Sequence, residues 1–62
     1  MTQHASPEFR YLREIHFACT YALSNPELAY DCAELAMWAA EEAQRPDLAY
    51  YANELMSAIG EP

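Results

Sequence analysis

Three prolines divide this chain. Pro7, Pro26 and Pro46 each precede an acid, in Ser6-Pro7-Glu8, Asn25-Pro26-Glu27 and Arg45-Pro46-Asp47. Proline lacks an N–H that the first helical turn leaves unpaired anyway, and its fixed φ suits that position. Ser6 and Asn25 carry side-chain oxygens of the kind that cap helices, Arg45 is a poor cap, and a first-turn acid meets the positive end of the helix dipole. This punctuation predicts three helices, about 7–23, 26–44 and 46–59, with Gly60 as the last stop. Residues 1–5 have no periodicity and are expected to be a frayed tail. Connections this short set successive helices side by side in opposite senses. The expected fold is all-α, an antiparallel helical hairpin plus a shorter third helix, in one domain over residues 1–62.

The middle segment, PELAYDCAELAMWAAEEAQ, contains six alanines and no glycine, a composition that favours helix over any alternative. At 100° per residue, Leu28, Cys32, Leu35, Ala39 and Ala43 fall on one seam. Ala29, Ala33, Ala36 and Ala40 fall on the flank beside it, where a neighbouring helix can approach closely. A chain of 62 residues buries little apolar surface, and ordering it costs about 1.5 kcal/mol per residue, close to what such a core returns. A homodimer is therefore expected, with that alanine flank as its self-association surface.

In the first helix, Phe9, Leu12, Ile15, His16, Cys19, Ala22 and Leu23 are expected to face inward. Arg10, Arg13, Glu14, Phe17 and Tyr21 lie on the other side, with Arg13 placed to lay its guanidinium over the Phe17 ring. In the third, Leu48, Tyr51, Ala52, Leu55, Met56 and Ile59 form the inward stripe, leaving Asp47, Tyr50, Asn53, Glu54 and Ser57 outside. Helices two and three share a twenty-residue repeat: Pro26-Glu-Leu-Ala-Tyr matches Pro46-Asp-Leu-Ala-Tyr, and Glu34-Leu35 matches Glu54-Leu55. The 34-residue tetratricopeptide pattern fits no register.

Ten acids against three arginines and no lysine give a net charge of −7. Affinity for phosphate backbones comes from clustered cations, so direct binding to nucleic acid is disfavoured. No apolar run reaches membrane-spanning length. Two cysteines and no positively charged apolar leader point to a cytoplasmic chain with reduced thiols.

Chemistry finds little purchase. His16, Cys19 and Cys32 are the one plausible metal set, but they lack a fourth ligand and paired spacing, so no metal or cofactor is expected. His16 reads as a core-edge histidine. Acid pairs such as Glu27/Asp31 or Glu41/Glu42 need a desolvated cleft to separate their pKa values. Ser6, Ser24 and Ser57 have no histidine at useful spacing, so no enzyme is expected.

The aromatics carry the functional signal. Phe17, Tyr21, Tyr30, Trp38 and Tyr50 fall outside the simplest core, and such residues, with arginine, dominate interface hot spots. Trp38, the sole tryptophan, sits among Glu27, Asp31, Glu34, Glu41 and Glu42. The expected partner site is Glu27, Tyr30, Asp31, Glu34, Met37, Trp38 and Glu41, with Arg10, Arg13, Phe17 and Tyr21 as a second candidate face. The expected function is a small non-catalytic interaction module, a regulator or inhibitor resembling an anti-activator, that occludes another protein such as a basic DNA-binding domain. Small bacterial or phage accessory proteins fill such roles. The alternative is a nucleic-acid mimic whose acids block a basic groove.

Overall fold

The computed structural model describes residues 6–60, and the tail expected at 1–5 lies outside them. Those residues form α1 (Pro7–Tyr21), α2 (Pro26–Glu42) and α3 (Pro46–Ile59), with no strand among them. Each helix opens on its proline. Ser6 Oγ accepts from the Phe9 N–H at 3.1 Å and Asn25 Oδ1 accepts from the Leu28 N–H at 3.2 Å, each satisfying a donor that the first turn leaves free. Arg45 makes no cap bond. Its guanidinium instead forks onto Asp47, donating from Nε at 3.1 Å and Nη2 at 2.9 Å.

α1 and α2 each end two residues before the expected 23 and 44. Gln44 explains the second stop. It adopts a left-handed φ of 59°, its N–H donates to Glu41 O at 3.0 Å, and the Arg45 N–H donates to Ala40 O at 2.9 Å. That pair of bonds closes a helix through one left-handed residue. Pro46 reinforces the stop by disfavouring helical backbone at Arg45, which sits at φ −118°, ψ 85°. Gly60, at φ 87°, ends α3 as expected, its N–H donating to Met56 O at 3.0 Å.

α2 is the central element. α1 and α3 both pack on it and scarcely touch each other. The first turn of α1 meets the last turn of α2, where Arg10 Nη2 lies 2.9 Å from Glu42 Oε2. The array measures 35 × 26 × 13 Å, twice as broad as deep. One cluster of buried residues joins Tyr11, Ala36, Ala39, Ala40 and Ala52, with Ile15, Met37, Leu48 and Ala49 against it. A second joins Ala18, Cys32, Ala33 and Met56, with Tyr30, Leu55 and Ile59 at its margin. Alanine methyls let helix axes come close but bury little area each. No large side chain among the described residues is fully covered.

The packing corrects several expectations. Ala29, Ala33, Ala36 and Ala40 are all fully buried inside one chain, so the alanine flank receives α1 and α3 and is closed to a second copy. The seam beside it opens instead, leaving Leu28 at 38% and Leu35 at 46% exposure. α1 is rotated from its expected orientation: Tyr11 and Ala18 point inward, while Phe9, Leu12, His16, Cys19 and Leu23 are exposed. Close approach to an alanine surface favours α1's own small residue, Ala18, while the Tyr11 ring packs with Ala36, Ala39, Ala40 and Ala52. α3 keeps its expected stripe except for Tyr51, which is exposed. The repeat also ends in a reasoned way. Ala33 and Met37, by which α2 meets its neighbours, become Asn53 and Ser57 in α3, and both are exposed, giving that helix a polar outer side.

Candidate partner interface

The side of α2 turned away from the alanine core carries Trp38 at its centre, 53% exposed. Glu27, Asp31, Glu41 and Glu42 are exposed around it, and Glu34 is half-buried. Helical spacing puts these acids on one face, and at 1.5 Å per residue Glu27 to Glu41 spans about 21 Å. Two expected members are elsewhere. Tyr30 and Met37 are half-buried against the cluster that contains Met56 of α3, so they form the edge of the core. Tyr30 also lines a shallow recess with Asn53, Met56, Ser57 and Gly60.

The two faces that the sequence separates converge in the structure. Arg10, Arg13 and Glu14 of α1 and Leu35, Trp38, Ala39 and Glu42 of α2 line one groove of about 430 Å³. Two of the chain's three cations thus stand beside its one indole. Arg10 is paired with Glu42, an exposed ion pair of the kind that contributes at most about 1 kcal/mol. Arg13 Nε lies 3.6 Å from Glu14 Oε2. The Phe17 ring, expected beneath the Arg13 guanidinium, sits instead with His16 at 5.9 Å and Tyr21 at 6.5 Å between centroids. Phe17 and Tyr21, one turn apart, continue the Arg10/Arg13 flank along α1.

Leu35 and Glu42 belong to this surface and were not among the expected site residues. The signal for Leu35 was its place three residues before Trp38, which an i, i+3 neighbour shares. Glu42 gave none, because its role depends on Arg10 of another helix.

The groove presents an indole and a leucine between charged rims, a composition shared with interface hot spots. The metal candidates are dispersed: His16 and Cys19 are exposed on α1, Cys32 is buried on α2, and no group of three ligand-type side chains gathers among the described residues. Burial, and next the Glu14 carboxylate beside it, push the Cys32 thiol above its ordinary value. At the other end, Arg45's hydrogen bonds hold the Asp47 carboxyl below the usual carboxylate range. No described helix is long and apolar enough to cross a membrane. No family model matches the chain, and no curated protein or solved structure matches it.

Proposed function

We propose that this chain is a small acidic, non-catalytic protein-interaction module, a regulator or inhibitor of the anti-activator kind that acts in the cytoplasm by occluding a partner protein. Its helices form an antiparallel hairpin with a third helix added, and two copies associate. The partner is a protein with a basic surface, such as a DNA-binding domain, and the chain itself binds neither nucleic acid nor membrane.

One observation carries the reading: the only tryptophan is half-exposed at the centre of an acidic face. An exposed indole gives up burial that a thin alanine core needs, and hot-spot anchors are residues of this type. The surrounding acids steer a basic partner and raise its association rate.

The test is affinity capture from the native host with the wild-type chain, followed by titration of the captured protein. W38A is expected to weaken binding by about 2 kcal/mol or more, the hot-spot scale, while the helical signal persists. Neutralising Glu27, Asp31, Glu34 and Glu41 together is expected chiefly to slow association. Binding abolished by that neutralisation and indifferent to W38A would assign nucleic-acid mimicry instead.

A further inference from the structure

We infer that a second copy of this chain docks on the face opposite Trp38, across the open trough between α1 and α3. On α1, Arg10 and Arg13 line the Trp38 groove, and helical spacing turns Leu12, Ile15 and Cys19 onto the other edge. On α3, Tyr50, Asn53 and Ser57 line recesses shared with Glu41 or Tyr30 of α2, which leaves Tyr51, Leu55 and Ala58 on the edge toward α1. The floor is Tyr11, whose hydroxyl reaches the Leu48 carbonyl at 3.1 Å. Leu12 is 64% and Tyr51 53% exposed, while Ile15 and Leu55 are half-buried. Among the described residues, none covers Leu12 or Tyr51.

The occupant follows from shape, area and charge. A domain core is ordinarily enclosed between two layers of secondary structure, and this array is one shallow layer, 13 Å deep, with no large side chain among the described residues fully buried. α1 and α3 are each about 21 Å long and the array is 26 Å across. With side-chain relief, that face approaches the roughly 800 Å² per partner of a standard interface. Two chains of net charge −7 repel one another wherever their acids meet. Five of the ten acids, Glu27, Asp31, Glu34, Glu41 and Glu42, lie on the outward side of α2, whereas the trough is lined by leucine, isoleucine and tyrosine, with the exposed Glu8 of α1 and Asp47 of α3 at its rim. Pairing through the trough encloses the apolar rows, holds the acidic α2 faces apart, and leaves both Trp38 grooves open. An apolar patch is also self-complementary, as a twofold interface requires.

This deepens the homodimer part of the reading above and is tested separately from the Trp38 groove. Sedimentation equilibrium of the wild type is expected to give twice the 7.1 kDa chain mass. L12E and Y51E each place a carboxylate in the interface and are expected to weaken dimerisation about a hundredfold or more. W38E is expected to leave the mass unchanged. A helical wild type that sediments as a monomer overturns the assignment. So does a dimer that survives L12E and Y51E, or one that W38E dissociates. If the glutamate variants unfold, L12C in a background lacking both native cysteines reads the same face. Its alkylation slows with rising protein concentration if a second copy covers it, and a rate independent of concentration overturns the proposal.

Discussion

The Tyr11 hydroxyl donates to the Leu48 carbonyl oxygen at 3.1 Å, tying α1 to α3 across 37 positions of sequence. The two helices otherwise scarcely meet, and Tyr11 is the one aromatic ring buried among the alanines of its cluster. Y11F keeps the ring and removes the bond. It is expected to cost about 1 kcal/mol, the ordinary net contribution of a hydrogen bond, read as a lower urea midpoint at unchanged slope. Y11A, which also empties the ring's volume, is expected to cost about 3 kcal/mol or more. Equal losses for the two variants would refute the packing role.

Gln44 ends α2 at φ 59°, where a side chain is strained and glycine is not. Q44G is therefore expected to stabilise the chain by about 0.5–1 kcal/mol, the strain relieved exceeding the added freedom of the unfolded chain. Thermal midpoints of the two proteins decide it, and a lower midpoint for Q44G would contradict the cap geometry.

Ala36 is fully buried between the helices of a single chain. A36L overfills a close helix approach and is expected to destabilise by about 1–3 kcal/mol. The readout is chemical denaturation alongside mass. A shift in mass with stability intact would return the alanine flank to the role of subunit contact.

The two thiols differ in access. In the single chain Cys19 is exposed and Cys32 buried, so at concentrations where the protein is monomeric a disulfide reagent should modify Cys19 rapidly and Cys32 only as the chain opens. Burial and Glu14 raise the Cys32 thiol, and burial, then Tyr51 and Asp47, raise the Tyr11 phenol. A raised folded value means that the folded chain holds the proton more tightly than the unfolded chain. That contribution is complete below the ordinary thiol range and is lost as pH rises through the folded values. Thermal stability is therefore expected to fall on the alkaline side, less steeply in C32A and in Y11F. Unchanged alkaline slopes in both variants would disprove the linkage.

Helix number and helix starts were written in the sequence because their causes are local. Pro7, Pro26 and Pro46 fix φ at the first turn, and Ser6 and Asn25 offer cap oxygens within three residues. The alanine content of residues 26–44 marked a helix with a flank open to close approach. The sides that α1 and α2 turn inward were not legible. Ala29, Ala33, Ala36 and Ala40 read equally well as a contact between copies or within one, since an alanine stripe states only that something approaches closely. Nor did hydropathy place Tyr11 inside and Leu12 out. Those adjacent residues differ by a 100° turn of one helix, and the acceptor of the Tyr11 hydroxyl, the Leu48 carbonyl, lies 37 residues away. The convergence of Arg10, Arg13 and Trp38 on one groove likewise needed the pairing of Arg10 with Glu42 across two helices. Local sequence determines where a helix begins because the groups concerned are a few bonds apart. Only the tertiary structure decides which side it buries, because that choice compares contacts with segments far along the chain.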